Sequence, residues 1–505
     1  MSEPVTAALS HRQIMVVFSG LMSGSLIAAL DQNIVATALP RMVSDLGGLS
    51  HISWVVTAYL LTTTISTPLY GKLGDLFGRK RLFQIAIVIF VFGSVLSGAA
   101  QTMGQLIAFR GVQGLGAGGI IVGAQAIIGD ILAPAERGRY QGYTGSVWAG
   151  ASIIGPFIGG YFTQHLSWRW AFYINVPIGA VALCVTAVVL RLPERREAPK
   201  IDWWGAALLS AGVASLVLLT TWGASNHAWS SPRIVGLAVA TAAFLTAFGY
   251  VERRALDPVL PGRLFRLSVF RISVLMSVIV GFAVIGTTTF IPLYLQVVDG
   301  ASPVEAGVKM TPIMVSLVLA SIVSGRTISR RGRYRLFPIA GTILMAIGLL
   351  LLSFMTAHTG YLVQAMSMAV LGLGMGMVIQ VLILTAQNSV SPRDLGVATS
   401  TVTFARSIGA STGVAFFGAI FSERLASNLR AAGGDQLSGL ASGLTPAALT
   451  RLDPAARAAI VDSFASALHL VYLCAVPVAL IGIVASLYIK EQPLRVRVVA
   501  AVVVE

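Results

Sequence analysis

Two charged residues inside long apolar segments are the side chains of this sequence best suited to chemistry. Asp31 is the one acidic residue that the pattern places deep within such a segment, and Arg110 lies within another. A charge at the centre of a membrane costs about 2.5 to 3.5 kcal/mol on insertion scales, so such residues are usually functional. Low polarity disfavours a charged carboxylate and a nearby cation favours it. We therefore predict that Asp31 binds a proton in a conformation-dependent way; the alternative is a purely structural ion pair.

Arg110 opens the segment RGVQGLGAGG at 110–119, in which glycines recur at short spacing. On a helix it shares a face with Gln113 and Gly114, so the charge and the small residue approach the same partner. We expect Arg110 to be the counter-ion of Asp31; the alternative is an arginine that extends its charge to the membrane surface. The glycines also resemble a dinucleotide-binding loop, but no strand precedes them.

A glycine-rich basic segment, GKLGDLFGRKR at 71–81, separates two apolar stretches. Gly71 and Gly78 permit tight turns and close helix contacts. Asp75 can pair with Arg79 or cap a helix terminus. We expect these four residues to form a conformational latch that closes and opens as the protein changes shape.

The same motif returns in weaker form as GRTISRRGRYR at 325–335, which begins 254 residues later. In both copies a second Gly follows the first after seven positions. Ser329 stands where the first copy has Asp75, so we expect an asymmetric pair of latches. An offset of about half the chain predicts two related halves.

The composition is that of a membrane protein. Hydrophobic residues make up 56% of the chain and charged residues 11%, whereas about 25% of the residues of a soluble protein are charged. In lipid the backbone must satisfy its own hydrogen bonds, which allows helices or a closed barrel. The apolar runs exceed the roughly ten-residue strands of a barrel. We therefore predict an all-α integral membrane protein whose environment is the lipid bilayer.

We predict fourteen membrane-spanning helices, each of about 20 apolar residues. They lie near 14–39, 52–70, 82–101, 104–129, 139–163, 169–190, 204–222, 233–251, 271–298, 303–324, 336–356, 361–388, 396–421 and 465–488. The predicted units are a six-helix bundle at 1–200, two inserted helices at 201–252 and a second six-helix bundle at 253–505. Charged connectors at 191–202 and 252–266 separate them, and a long external loop with a partial helix is expected at 422–464.

The basic residues that give the chain its net charge of +15 are unevenly distributed between its predicted loops. With the N-terminus inside, most of the 35 Lys and Arg fall in cytoplasmic segments, including five Arg at 253–271 and five at 326–335. This bias sets the orientation of a membrane protein. We expect both termini in the cytoplasm and no nucleic-acid partner.

Taken in order, the motifs resemble those of the major facilitator superfamily, in its branch of 14-helix drug:proton antiporters (EmrB/QacA type). The resemblance covers nearly the whole chain. It rests on 71–81, 110–118, LDQNIVATALP at 30–40, ASIIGPFIGG at 151–160, SWRWAFYINVPIG at 167–179 and the two inserted helices. It implies the major facilitator fold in a monomeric protein of the bacterial inner membrane. It also implies proton coupling at Asp31 and Arg110, although Gln32 replaces the Thr that is common beside the Asp.

The segment at 151–160 places Gly155 and Gly159 four residues apart, a spacing that lets helices pack closely. Pro156 lacks an amide hydrogen and bends the helix. In the superfamily this motif is associated with antiport, so the resemblance favours export. Ordinary tight packing explains the same residues equally well.

The implied fold places the first and fourth helices of each half around a central cavity, where adaptable side chains would contact the substrate. The candidates on the ninth and twelfth spans are Thr287, Phe290, Tyr294, Gln296, Met377, Gln380 and Gln387. Core packing explains such stripes equally often. Arg406, in the thirteenth span, could contact an anion, a carbonyl or the acidic residue of the loop motif. No acidic residue lies clearly within a span of the second half, which argues against a dicationic substrate.

The resemblance implies proton-driven export of hydrophobic or amphipathic small molecules, as in multidrug efflux, by alternating access. The alternative is a dedicated exporter of a metabolite, lipid or siderophore-like compound. No Walker pattern is present, so an ATP-driven pump has no site. The six His are scattered and Cys184 and Cys474 fit packing roles, so we expect no metal site, no enzyme activity and no cofactor beyond the transmembrane proton gradient. Nothing in the sequence favours a channel.

Overall fold

The protein is helical throughout the parts that the structure, a computed structural model, describes. These parts are residues 11–47, 51–190, 202–225, 231–441 and 453–494. Twelve helices within them are long and apolar enough to cross a membrane, judged by length and composition. The chain is therefore an all-helical, multi-pass membrane protein. The predicted connector at 191–202 lies almost wholly outside the described residues.

In the residues that the structure describes, the first half and the two inserted segments form nine helices. They are α1 (His11–Leu46), α2 (Ile52–Phe77), α3 (Arg79–Ala99), α4 (Met103–Ile131), α5 (Pro134–His165), α6 (Trp170–Tyr173), α7 (Asn175–Val189), α8 (Trp203–Ser225) and α9 (Pro232–Glu252). Local signals set several ends: the Thr102 side chain accepts a hydrogen bond from the Gln105 amide and caps α4. Gly78, with φ of +95°, separates α2 from α3.

The described part of the second half begins with a short turn of helix and contains ten helices. They are α10 (Gly262–Phe265), α11 (Ser268–Val280), α12 (Gly286–Thr288), α13 (Ile291–Val297), α14 (Pro303–Lys309), α15 (Thr311–Arg331), α16 (Leu336–Ser353), α17 (Tyr361–Ser389), α18 (Leu395–Ala441) and α19 (Pro454–Leu487). A π-helical turn, Gly281–Ile285, joins α11 to α12, and a 3₁₀ turn, Pro392–Asp394, precedes α18.

Helices occur at all fourteen predicted positions, but two of them, α2 and α5, are not among the twelve candidate spans. Their polar residues explain the difference. Thr63, Thr67, Gln141 and Thr144 are buried against other helices rather than exposed to lipid, so these two helices are less hydropathic than their neighbours.

The structure adds detail to several predicted segments, although the sixth and ninth remain single candidate spans. The sixth span is divided into α6 and α7, and the ninth into α11, the π-helical turn, α12 and α13. Much of the predicted external loop at 422–464 is helical, because α18 continues to Ala441 and α19 begins at Pro454. Residues 442–452 lie outside the described part. Hydropathy marks where lipid contact ends, and a helix can continue into water beyond that point.

Each half has its own apolar core. Two clusters of buried residues lie in the first half, and one large cluster runs through the second half from Leu264 to Leu494. A fourth cluster joins Val213 of α8 to Phe404 of α18, and Leu61 of α2 packs against it. The inserted helix α8 therefore packs where the two halves meet at α2 and α18.

Candidate functional site

Asp31 is completely buried and lies at the centre of a polar cluster within the first half. Arg110 Nη1 donates a hydrogen bond to Asp31 Oδ2 at 2.5 Å. Gln113 Nε2 donates to Oδ1 at 2.7 Å, and Asn175 Nδ2 donates to the same oxygen at 3.3 Å. Ser94 Oγ accepts from Gln113 at 2.7 Å and from Asn175 at 3.2 Å. The cluster thus ties α1 to α3, α4 and α7.

Arg110 is held as tightly as its partner, with only 1% of its surface exposed. Its Nε donates to the carbonyl oxygen of Val55 at 3.3 Å and its Nη1 donates to Gln113 Oε1 at 2.7 Å. The guanidinium carbon lies 4.2 Å from the ring centre of Tyr59, which is a cation–π contact. Both charges are therefore satisfied and sealed from solvent.

This arrangement suits a carboxylate that is ionised. A proton on Asp31 would remove the counter-charge of Arg110 and leave a buried cation without a partner, which is strongly unfavourable. Loss of the charge of either side chain would therefore require the cluster to rearrange. The sequence identified the charged pair and placed Gln113 on the same face, but it did not identify Ser94 or Asn175. Asn175 lies in the segment at 167–179, where one amide among apolar residues was the available signal.

Asp75 of the first motif copy joins the two halves. Arg79 Nε donates to Asp75 Oδ1 at 3.0 Å, so the predicted pair is formed. The backbone N–H of Gly396 donates to Oδ1 at 3.1 Å and that of Val397 donates to Oδ2 at 2.9 Å. These amides lie in the first turn of α18, where N–H groups lack intrahelical acceptors and the helix dipole favours a negative charge. Asp75 therefore caps a helix that belongs to the other half.

Arg79 extends the same contact. It forms an ion pair with Asp130 near the end of α4, and its Nη2 donates to the carbonyl oxygen of Pro392 in the other half at 3.2 Å. Lys72 forms an ion pair with Asp257, beyond α9. Asp130 gave no distinct signal in the sequence, since a carboxylate near a helix end at the membrane surface is common.

The first glycine of each motif copy lies where two halves touch backbone to backbone. A Cβ atom on Gly71 would collide with Ser400 and Gly396 of α18, and one on Gly325 would collide with Gly138 of α5. The two contacts are equivalent, because α5 and α18 hold corresponding positions in their halves. We call the end of the bundle where both copies lie the motif end; in this structure the two halves are in contact there.

The second motif copy forms a weaker contact between the halves than the first. The backbone N–H of Arg139 donates to Ser329 Oγ at 3.3 Å across the halves. A neutral hydroxyl replaces the carboxylate of Asp75 at this point. The contacts are asymmetric, as the sequence predicts.

We expect Asp75→Asn to favour opening of the motif end. Loss of charge weakens two hydrogen bonds to the first turn of α18, and hydrogen bonds to charged groups contribute about 1.5–3 kcal/mol, or roughly a 10- to 150-fold change in the closed-to-open ratio. Electron–electron distance measurements between spin labels at the exposed positions Arg81 and Arg333 would report this opening. Asp257→Asn is the matched control, since it removes a paired carboxylate that does not contact α18. Identical distances in both variants would contradict the latch.

The glycines of the segment at 151–160 pack α5 closely on α1. A Cβ on Gly155 would lie 2.5 Å from Cβ of Asn33, and one on Gly159 would collide with Thr37. Asn33 and Thr37 follow Asp31 on α1 by two and six residues. Pro156, within α5, lies on the side that faces Gly307 of α14 in the other half. The segment therefore lies between the helix of Asp31 and the second half.

Three of the predicted substrate residues pack inside the second half. Thr287 is fully buried and donates to the carbonyl oxygen of Ala283 at 2.6 Å. Phe290 packs against Phe421, with ring centres 5.6 Å apart, and the Tyr294 hydroxyl donates to the carbonyl oxygen of Thr356 at 2.8 Å. The structure gives these side chains a packing role, and their contact with a substrate stays a prediction.

The remaining predicted substrate residues differ in how deeply they are buried. Gln296, Met377 and Gln380 are partly buried. Gln387 is buried, and its Nε2 donates to the carbonyl oxygen of Gln125 on α4 at 3.2 Å and to Thr399 Oγ1 at 2.9 Å. Gln387 is therefore a bridge between the halves. Among the described residues, no group of three or more potential ligands could hold a metal ion.

Comparison with known proteins identifies the family. The sequence model of the Major Facilitator Superfamily matches residues 21–414. An uncharacterized transporter of this type from Mycobacterium tuberculosis is 43% identical over 479 residues, which cover 95% of this chain and 70% of the relative. The multidrug transporter protein MdtP of Bacillus subtilis is 39% identical over 406 residues, which cover 80% of this chain and 75% of the relative.

Solved structures agree with the fold. The proton:xylose symporter XylE superimposes with a TM-score of 0.62 at 16% identity, over 96% of this chain and 98% of the symporter. At this identity the likeness concerns the fold alone. The chain belongs to the major facilitator superfamily, whose members transport small molecules across membranes and are not enzymes.

Proposed function

We propose that this protein exports hydrophobic or amphipathic small molecules across the bacterial inner membrane in exchange for protons. The single observation that carries the proposal is the buried cluster in which Asp31 faces Arg110. The names of the relatives support the choice of substrate, since two proteins of Bacillus subtilis are called a multidrug transporter and a multidrug resistance protein. A dedicated exporter of one metabolite, lipid or siderophore-like compound is the alternative.

The mechanism follows from the two contacts described above. In this mechanism Asp75 holds the motif end closed while the cavity opens to the opposite, external face, from which a proton reaches Asp31. Neutralisation of Asp31 releases Arg110 and weakens the packing of α1 against α4 and α7. The halves then separate at the motif end, substrate enters from the cytoplasm and the proton leaves. Because α5 contacts both α1 and α14, it carries the change from the cluster to the second half.

The proposed branch is that of 14-helix antiporters. It requires α2 and α5 to cross the membrane in addition to the twelve candidate spans. Their lengths, 26 and 32 residues, correspond to about 39 and 48 Å of helix, more than the roughly 30 Å of hydrocarbon. An even number of spans puts both termini on the same side of the membrane, and the distribution of Lys and Arg favours the cytoplasmic side. We propose that the protein acts as a monomer.

Transport by the native protein in proteoliposomes tests the function directly. With an imposed pH gradient, a fluorescent amphipathic drug should move against its own concentration gradient and the lumen should change pH at the same time. A channel would only equalise concentrations. Movement of drug without proton movement would refute the antiport mechanism. Inhibition by unrelated drugs would favour multidrug efflux over a dedicated exporter.

A further inference from the structure

Arg406 is an arginine of a candidate membrane span whose charge has no partner among the residues that the structure describes. It lies in α18, eleven residues beyond Leu395 and therefore about 16 Å into the helix. Among the described residues, no carboxylate lies within 4.0 Å of its guanidinium group and no acceptor bonds to it. The residue is only partly buried, so part of its surface can be reached by a small molecule. Arg110, by contrast, is fully enclosed by acceptors.

The position of Arg406 on α18 directs it toward the interior of the protein. Phe404 belongs to the apolar cluster around α8, and Ile408 packs against that cluster. At 100° per residue, both lie on the side of α18 opposite to Arg406. The backbone carbonyl of Arg406 lies against Gly281, the first residue of the π-helical turn. Turns of this kind are rare and occur frequently at functional sites.

Gln380 of α17 lies at the same depth. The hydrogen bond from Gln387 Nε2 to Thr399 Oγ1, at 2.9 Å, fixes the register of the antiparallel pair α17 and α18. Gln380 lies seven residues from Gln387 on α17, and Arg406 lies seven residues from Thr399 on α18. Seven residues are about two turns, so both side chains lie at one depth in the membrane. The Gln380 amide forms no hydrogen bond with any described residue, and its Oε1 is buried without a partner. Two unpartnered polar groups therefore occur at one level.

Within the described part of the chain, the membrane-spanning helices of the second half offer no carboxylate at the level of Arg406. No Asp or Glu occurs in α11, α12, α13, α15, α16 or α17, or in α18 before Glu423. An unpaired cation in a water-poor interior is costly. An anionic ligand would supply the counter-charge that Arg406 lacks. A guanidinium group binds a carboxylate through two parallel hydrogen bonds, so a carboxylate fits this role.

We propose that Arg406 and Gln380 form a carboxylate-binding subsite, so that the preferred substrates are amphipathic monocarboxylates with an apolar body. Arg406 pairs with the carboxylate and the Gln380 amide donates a further hydrogen bond to it. The proposal rests on the proposed transport function for its physiological meaning. Substrate binding and proton binding are then separate, with the first at α17 and α18 and the second at Asp31.

Three probes that share one apolar body test the subsite: 1-pyrenebutyric acid, its primary amide and 1-pyrenebutylamine. Calorimetric titration of the purified protein should show that the carboxylate binds about 10- to 100-fold more tightly than the amide, as expected for hydrogen bonds to a charged group. Arg406→Gln should remove this preference and leave the affinity for the amide unchanged. Arg406→Lys should retain part of it. Arg271→Gln, which removes an exposed arginine of the same half, should change nothing.

Gln380→Glu tests whether the two side chains are neighbours. A carboxylate at this position would neutralise Arg406, so the preference for 1-pyrenebutyric acid should disappear and the amine should gain affinity. Equal affinities for acid and amide in the native protein, or an unchanged preference in Arg406→Gln or Gln380→Glu, would overturn the proposal. Binding is measured without a pH gradient, so a carboxylate preference with no proton-driven flux would refute the antiport function and leave the subsite intact.

Discussion

Replacing Asp31 by Asn should abolish drug accumulation driven by a pH gradient, to the level of protein-free liposomes. Asn keeps the shape of the side chain but cannot bind and release a proton. It also removes the counter-charge of Arg110, and breaking a buried ion pair from one side costs about 3–5 kcal/mol. The measurement is substrate flux in proteoliposomes with the internal pH set above or below the external pH.

Loss of flux could also follow from a misfolded protein, so a second readout is needed. Exchange of labelled for unlabelled drug at equal concentrations requires binding and the change of access but no net proton movement. We expect Asp31→Asn to retain this exchange. Asp299→Asn, which neutralises a carboxylate paired with Lys309 outside the cluster, is the matched control and should retain both activities. Normal gradient-driven accumulation by Asp31→Asn would refute the coupling role of Asp31.

Gly138→Val should keep the motif end open. A Cβ on Gly138 would lie 2.7 Å from the carbonyl oxygen of Gly325, and a backbone atom cannot move aside as a side chain can. Overpacking of this kind costs about 1–3 kcal/mol, which changes a two-state ratio by about 5- to 150-fold. The penalty applies only while the halves touch, so the conformation with separated motif ends gains population and turnover falls.

Gly150→Val is the matched control for this variant. Gly150 lies on the same helix, and a Cβ there has no neighbour within 4 Å. Both substitutions therefore carry the same helix-propensity cost, and only one affects the contact between halves. In a background without Cys184 and Cys474, spin labels at Arg81 and Arg333 should move apart in Gly138→Val and not in Gly150→Val. Matching distance distributions would show that the glycine contact does not set the equilibrium.

The features that could be predicted from the sequence are those that the lipid environment requires. Long apolar runs located the helices, because the backbone in a membrane has no other way to satisfy its hydrogen bonds. The pairing of Asp31 with Arg110 was predictable for a similar reason, since two opposite charges in an apolar medium attract strongly. The residues of the first motif copy predicted a tight turn at Gly78 and a pair between Asp75 and Arg79, and the repeat of the motif predicted two related halves.

The remaining features depend on neighbours that the sequence does not specify. Ser94 is neutral, so its place beside Asp31 left no distinct signal. The π-helical turn near Gly281 arises where α11 meets α18 closely, at glycines on both helices, and its apolar sequence resembles that of any other span. Thr287, Phe290 and Tyr294 were predicted to share one helix face, but helical periodicity does not tell whether a face meets a cavity or another helix.

The length of α18 has a consequence for how the protein can be observed. Its 47 residues form about 70 Å of helix, more than twice the hydrocarbon thickness. Beyond the apolar part it is braced by α19: the rings of Phe421 and Phe464 are 4.9 Å apart, and Asn428 Nδ2 donates to the carbonyl oxygen of Ser463 at 3.2 Å. The pair is a stiff lever fixed to the second half. If that half rotates by about 15°, a point 30 Å along the lever moves by about 8 Å, so a dye placed there would report each transport cycle from outside the membrane.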